Sequence, residues 1–392
     1  MARAQTKLKV LSGTPAQHGF SFPPEFAPHS GTWFSWPRPE GISFPAKYHT
    51  VPANLAAIIR EIAPRETVHI NVPNENWQRI VTLQLLDGGV KKKHLGKGGK
   101  SQGDDMVEND QSSHVRFHYI PTNESWCRDH GPAFVQRRVK SGSKSKLETA
   151  IVDWGFNAWG GKYPPYDADD NVPTRVAEKL GSAVTGVFYP RVKDKPIIME
   201  GGSVEFNGKG TILSSTQCLL HKNRNPHLSK AEIEQALCDY YGQRHVVWVE
   251  DGIDGDDTDG HIDDLARFVS PNTIVTTLES DPKDVNYKVL EANYKRLCSL
   301  RDQDGKPFHI VALPMPGIIE HDGDRLPATY ANFYFVNGAL LVPTYGHKKH
   351  DRLALKVLAD LLPDREIIGI DCRELIWGLG AIHCLTQQVP LM

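Results

Sequence analysis

Tyr334-Phe335-Val336-Asn337-Gly338-Ala339-Leu340-Leu341-Val342-Pro343 sets an Asn-Gly pair between two apolar runs. Asn and Gly tolerate the positive φ angles of a two-residue turn, so the stretch predicts a β-hairpin. The same form recurs in Val204-Glu205-Phe206-Asn207-Gly208-Lys209-Gly210-Thr211-Ile212-Leu213 and in Ala266-Arg267-Phe268-Val269-Ser270-Pro271-Asn272-Thr273-Ile274-Val275. A looser fourth copy runs from Ala133-Phe134-Val135 across a Ser/Lys/Gly loop at 140–147 to Ala150-Ile151-Val152. Helical spacing lies between hairpins. Ser229-Lys230-Ala231-Glu232 is a capping box opening a helix through Leu237, and Val51–Ile62 and Leu353–Leu361 carry the same period. β-rich runs follow these helices at Thr67–Val72, His245–Val249 and Glu366–Ile370. Hairpin, helix, strand in repeated order predicts an α/β protein built from one recurring unit.

The 392 residues are 40% hydrophobic and 23% charged, ordinary for a globular protein, with a net charge of -2. That balance offers nothing to nucleic acid or an anionic membrane, and Lys91-Lys92-Lys93 reads as a solvated loop. No apolar run approaches the ~18 residues of a membrane helix. No apolar segment follows the basic start, so a signal peptide is not expected and the protein is placed in the cytoplasm. The six cysteines form no CxxC pair and read as reduced thiols. Residues 1–20 read as a loose N-terminal arm, and 88–115, rich in Lys, Gly, Ser and Asp, as a surface insertion in the domain spanning 21–392.

Four polar clusters and one cysteine suggest chemistry. Cys384 follows a glycine-rich bend in Gly378-Leu379-Gly380-Ala381-Ile382-His383-Cys384, a setting for a presented nucleophile. Trp126 and Asp129 stand three apart in Trp126-Cys127-Arg128-Asp129-His130-Gly131-Pro132. An aromatic face and a carboxylate together suit a flat cation such as a guanidinium, although a structural Trp beside an Arg–Asp pair has the same spelling. Asp254-Gly255-Asp256-Asp257-Thr258-Asp259-Gly260-His261-Ile262-Asp263-Asp264 puts His261 and Asp263 on one face if the segment is extended. It reads as a carboxylate–imidazole metal site, or as a grip for a cation with His261 moving protons. Glu200 in Met199-Glu200-Gly201-Gly202-Ser203 is placed to orient a histidine, and Asn332 opens the last hairpin. No HExxH, HxH or CxxC is present. A thiol with His261, two carboxylates and a Trp needs no metal or other cofactor, so thiol chemistry on a cationic substrate is preferred to a metal-dependent hydrolase.

In combination these motifs, with Trp33-Phe34-Ser35-Trp36-Pro37 and Asn223-Arg224-Asn225-Pro226-His227-Leu228-Ser229, resemble the agmatine deiminases. These belong to the bacterial peptidyl-arginine deiminase family of guanidino-group-modifying enzymes. The resemblance runs in order over residues 20 to 392. It implies a pentein fold, a five-fold pseudosymmetric α/β propeller of ββαβ-type units with the site at its centre. It implies Cys384 as nucleophile, His261 as general acid/base, Asp129 and Asp263 as guanidinium carboxylates, Glu200 as support for the histidine, and Trp126 and Asn332 as pocket residues. The implied reaction is hydrolysis of agmatine to N-carbamoylputrescine and ammonia, in putrescine biosynthesis. Peptidyl-arginine or free arginine is the alternative substrate, and a non-catalytic binding module of the same fold is a further alternative. A homo-oligomer is the family expectation. One departure stands out: Gly378-Leu379-Gly380-Ala381 replaces the family's more usual Gly-Gly-Gly-Asn.

Overall fold

The computed structural model describes residues 8–44, 46–95, 114–142 and 144–392. Five sheets of three or four strands carry the architecture. Four repeat one plan: an antiparallel pair, a helix, then a strand parallel to the second strand of the pair. Their pairs are Ala133–Ser141 with Lys144–Val152, Val204–Phe206 with Thr211–Ser215, Ala266–Ser270 with Thr273–Leu278, and Tyr334–Val336 with Ala339–Thr344. The returning strands are Val187–Phe188, His245–Val249, His309–Pro314 and Glu366–Asp371. The fifth sheet draws its antiparallel pair from the two ends of the chain, His29–Ser35 against Gln387–Pro390, and continues through Thr67–Val72 and Val115–Tyr119. The mixed α/β class read from the repeats is the observed one.

Local chemistry explains the elements. Ser229 accepts from the Glu232 N–H at 3.3 Å while the Glu232 carboxylate accepts from the Ser229 N–H at 2.8 Å, closing the expected capping box on helix Lys230–Tyr241. Helix Val51–Ile62 buries Leu55, Ile58, Ile59 and Ile62 against the same core as Val68, Ile70 and Val72. Each such side chain contributes roughly 1.5–3 kcal/mol on leaving water. The helix expected over Leu353–Leu361 starts earlier, at Lys348. The Asn337-Gly338 turn differs from expectation, because only Gly338 takes a positive φ (76°). Asn337 instead uses its amide on the neighbouring sheet, accepting from His29 N–H at 3.0 Å and donating to His29 O at 2.8 Å. The loop expected at 140–147 is nearly all strand.

From Leu8 onward the N-terminal arm is anchored rather than loose. Leu11 N–H donates to Val187 O at 2.8 Å, Val187 N–H donates to Lys9 O at 2.9 Å, and Phe20 is buried. Residues 96–113 of the insertion expected at 88–115 lie outside the described residues. Lys91, Lys92 and Lys93 are exposed. No helix among the described residues is long and apolar enough to cross a membrane.

Candidate active site

One placement rule brings the expected residues together. One strand of each antiparallel pair is entered through a short non-strand segment, and that segment carries a candidate side chain. Asp129 lies in helix Cys127–His130 ahead of Ala133, and Glu200 caps the turn Gly201–Ser203 ahead of Val204. Asp263 lies in the turn Ile262–Asp264 ahead of Ala266, Asn332 just before Tyr334, and Cys384 just before Gln387. The expectation that His261 and Asp263 alternate along a strand is incorrect. Gly260 bends the chain at φ +86°, and a 3₁₀ turn follows His261.

Cys384 lines a cleft whose wall also includes Trp126, Asp129, Trp159 and Tyr163. The thiol is 7% exposed, so it is a floor residue rather than the exposed group its glycine-rich approach suggested. Asn332 Nδ2 lies 3.0 Å from Cys384 Sγ and 3.0 Å from Asp264 Oδ1, and its Oδ1 accepts from the His383 N–H at 3.0 Å. Asp263 Oδ2 is 3.7 Å from Sγ, and Asp263 Oδ1 is buried without a protein partner. Burial pushes the Cys384 thiol well above its ordinary value, and Asp263, Asp264 and Asp129 push it further. Burial likewise lifts Asp263 well above the carboxylate range, with Asp129 adding to it.

Asp129 faces the same cleft. Its Oδ1 accepts from the Gly202 N–H at 3.0 Å and its Oδ2 from Trp159 Nε1–H at 3.0 Å. Burial, then Glu200, raises its carboxyl to about 7 against those bonds. A Cβ on Gly202 would stand 2.5 Å from His261 Nδ1 and 2.8 Å from Asp129 Oδ1, so only glycine lets the backbone approach here. Trp126 donates from Nε1 to Ser43 Oγ at 2.7 Å. The bend beneath Trp126 is equally tight: a Cβ on Gly380 would meet that ring at 2.6 Å. Leu379, between Gly378 and Gly380, sits in the left-handed region at φ 67° and lines the cleft. Trp159, which sequence reasoning missed, follows Ala158 in a run of two non-glycine residues at positive φ (50° and 56°). Such conformations each cost about 1–3 kcal/mol and concentrate at functional sites. Gly160-Gly161 immediately after the Trp was the available signal.

His261 is 1% exposed, its Nδ1 3.6 Å from Asp129 Oδ1 and its Nε2 without a hydrogen-bond partner. Burial holds it well below the ordinary imidazole value, with Arg224 acting in the same direction. Glu200, fully buried, has a carboxylate oxygen within 4.8 Å of a ring nitrogen of His261 and of Cys218 Sγ. The Asp-rich loop does not converge on one point. Asp256 accepts from the N–H groups of Thr258 and His261, Asp257 pairs with Lys162 and accepts from Tyr163, and Asp259 pairs with Arg224 at 2.7 Å. Those three carboxylates are engaged by the chain itself, whereas Asp263 and Asp264 of the same loop each have a carboxylate oxygen within 4.8 Å of the other and of Cys384 Sγ.

A second buried layer had no sequence signal. Glu25 receives Arg267 at 2.9 Å, Arg128 at 3.0 Å and His383 Nε2 at 2.7 Å, while His383 Nδ1 reaches Asp263 Oδ2 at 2.6 Å. Arg267 also pairs with Glu205 and donates to Phe333 O at 2.7 Å, and Arg128 donates to Gln388 Oε1 at 2.6 Å. The layer ties strands Val204–Phe206, Ala266–Ser270 and Gln387–Pro390 to helix Cys127–His130 and holds Asp263 from behind. Burial opposes the charge on Glu25, but Arg267, His383 and Arg128 keep its carboxyl well below the usual range.

A buried thiol and a carboxylate line one cleft on an α/β scaffold, with the buried His261 beside that carboxylate, an arrangement that suits a hydrolase acting through a thiol. The chain belongs to the family described as Porphyromonas-type peptidyl-arginine deiminase, whose model matches residues 21–390. It is 34% identical to the agmatine deiminase of Medicago truncatula, over 97% of this chain and 99% of that one. The solved agmatine deiminase of Enterococcus faecalis superposes with a TM-score of 0.82 at 30% identity, covering 98% and 99% of the two chains. The C. jejuni agmatine deiminase with substrate bound gives 0.77 at 28% identity, covering 94% and 96%.

Proposed function

We propose that this chain is an agmatine deiminase, hydrolysing agmatine to N-carbamoylputrescine and ammonia through a covalent cysteine intermediate. The observation that carries the reading is the charge of the cleft above Cys384. Its lining holds eight carboxylates against three Lys or Arg side chains. Two of those cations are already paired, Arg325 with Asp284 at 2.7 Å and Lys47 with Glu374 at 3.3 Å. Lys283 is left on the exposed rim. Such a mouth attracts a substrate cationic at both ends and repels the α-carboxylate of free arginine. Relatives of nearly the same length are named agmatine deiminases, which supports the same choice.

In this reading Asp129 and Asp263 hold the guanidinium, with Trp126 and Trp159 walling its plane. With the guanidinium bound, the Cys384 thiol cedes its proton to His261 and the thiolate bonds to the guanidinium carbon. His261 passes that proton to the departing nitrogen, the C–N bond breaks, and ammonia leaves. His261 then takes a proton from water as it adds to the same carbon, the S–C bond breaks, and the carbamoyl product departs with the thiolate restored. One hard displacement becomes two easier ones. The five sheets are read as blades of a pentein with pseudo-five-fold arrangement, in a single catalytic domain spanning 21–392 behind the 1–20 arm. Six unpaired cysteines fit a reducing compartment, and we place the protein in the cytoplasm.

The test is ammonia release from agmatine, arginine and an arginine peptide, with Cys384→Ala as control. Agmatine is expected to lead by kcat/KM, with activity abolished in the control and unaffected by a strong chelator. Preference for arginine, or activity surviving Cys384→Ala, overturns the reading.

A further inference from the structure

Behind the candidate base lies a string of alternating charge that none of the roles above uses. Arg224 is fully buried, and its Nε donates to Glu200 Oε1 at 2.6 Å. Its Nη1 donates to Asp259 Oδ2 at 2.7 Å and to Asn223 Oδ1 at 2.7 Å, and its Nη2 to Thr258 O at 2.9 Å. Asp259 is held in turn by Lys162 at 3.0 Å. One guanidinium therefore ties Glu200 to the loop Thr258–Asp259 that delivers His261. A residue with four oriented donors in a fixed fork is suited to this, and Lys is not an equivalent substitute.

We propose that Arg224 is a positioning residue of the hydrolytic reaction: it keeps Glu200 ionised and aimed at His261, so that the imidazolium formed during turnover has an anionic partner. The inference rests on His261 acting as the acid/base of the proposed deiminase. Glu200 faces charged or titratable groups from every element packed on it. These are Arg224, Cys218 of helix Thr216–Leu219, Tyr241 of helix Lys230–Tyr241, Asp129 of helix Cys127–His130, and Asp259 and His261 of the acidic loop. Arg224 is the cation among them. Burial lifts the Glu200 carboxyl above its ordinary range, and Arg224 is the largest force opposing that rise. Burial would lift Asp259 too, but Asn223, Arg224 and Lys162 hold it at about 2, so the outer anchor of Arg224 stays anionic at any working pH. Removing Arg224 leaves a buried carboxylate without its cation, and such a group takes up a proton.

The sign follows. A group that must be ionised and whose pKa rises loses function as pH falls through the new, higher value. Arg224→Gln is expected to lower kcat roughly tenfold to a hundredfold with KM nearly unchanged, and to move the acidic limb of the kcat profile up by about one pH unit or more. Arg224→Lys is expected to recover part of kcat and to keep the limb within about half a unit of wild type. In a Glu200→Gln background Arg224→Gln should cost little more, because its target is already neutral. Infrared difference spectra read Glu200 without any turnover. Arg224→Gln minus Arg224→Gln/Glu200→Gln at pH 7 should show the carbonyl band of a protonated carboxylic acid, and wild type minus Glu200→Gln should not. A protonated band already present in wild type, an unmoved acidic limb in Arg224→Gln, or losses that multiply in the double variant overturns the proposal. Should Arg224→Gln fail to fold, Arg224→Lys carries the same cycle with Glu200→Gln, and losses that multiply there overturn it equally. Absence of ammonia release from any guanidine in wild type defeats the deiminase reading, while the infrared arm still judges the state of Glu200.

Discussion

Asp263→Asn should make Cys384 more reactive towards an alkylating agent while destroying turnover. Asp263 Oδ2 lies 3.7 Å from Cys384 Sγ, both groups buried. Two unit charges at that separation, with an effective dielectric constant of ~20, repel by about 4.5 kcal/mol, or about 3 pKa units. That is the ceiling, reached when Asp263 is fully ionised. Its own raised pKa shares the proton between the pair and trims the effect. Asn preserves an acceptor for His383 Nδ1, so the backing layer is retained. A thiol falling by one unit gains tenfold in thiolate at neutral pH, but each thiolate becomes roughly threefold less nucleophilic. The net gain is about threefold per unit, so ~3 units give roughly a thirtyfold faster alkylation. The assay is iodoacetamide labelling against pH, followed on the Cys384 peptide by mass spectrometry. Resolution by peptide matters because Cys298 is exposed and Cys238 half-buried. The midpoint of the Cys384 profile should fall, and ammonia release from agmatine should drop by ~10²-fold or more as the guanidinium loses a carboxylate. A midpoint that stays or rises would refute the claim that carboxylates, on top of burial, hold this thiol protonated.

Trp159→Phe removes the N–H donated to Asp129 and should cost kcat/KM about tenfold, the loss of a bond to a charged group. The Asp129 carboxyl, at about 7, must be ionised to hold a cation. The acidic limb of kcat/KM should therefore lie near pH 7 in wild type and higher in Trp159→Phe, read from initial rates across pH. Glu25→Gln leaves Arg128, Arg267 and His383 around a neutral amide and should destabilise folding by roughly 3–5 kcal/mol in denaturant titrations.

The repeated unit was legible because its signals are local. The Ser229 capping box, the turn at Gly338 and the apolar strands each act over a few residues, and the tertiary structure agrees with them. The fifth unit was not legible, since its antiparallel pair joins His29–Ser35 to Gln387–Pro390 and no window of sequence contains both. The site divides the same way. Asp129, Glu200, Asp263 and Cys384 stood out because each lies within a few residues of glycine in a segment leading into an apolar strand. Glu25 did not, since in Phe22-Pro23-Pro24-Glu25-Phe26 it reads as an ordinary loop acid. Only its long-range partners, Arg128, Arg267, His383 and the Phe335 N–H, give it meaning, and burial of a lone carboxylate is not written in its neighbours. His383 illustrates the limit most sharply. Adjacent to Cys384, it invites a catalytic role, yet both its nitrogens are taken by Asp263 and Glu25.

The buried charges divide into two sets, and the division says what the cleft is for. Behind the site, opposite charges are matched: Glu25 and Glu205 face Arg128 and Arg267, and Glu200 and Asp259 face Arg224 and Lys162. Around Cys384 they are not. Asp129, Asp263 and Asp264 are buried, and among the described residues none is paired with Lys or Arg. Burying unmatched carboxylates is unfavourable, and the raised pKa values of all three express that. Neutralising them with protons would stabilise the free protein, but it would also remove the grip. In the proposed reading, a cation entering between Asp129 and Asp263 would relieve the strain that raises those pKa values. By the same field it would favour the Cys384 thiolate that attacks it in that reading. Binding and activation of the nucleophile are then one electrostatic event, which requires a substrate whose charge sits on the very carbon-centred group to be cleaved. A neutral amide or an anion would leave the carboxylates and the thiol as they are in the free protein, and a guanidinium would not.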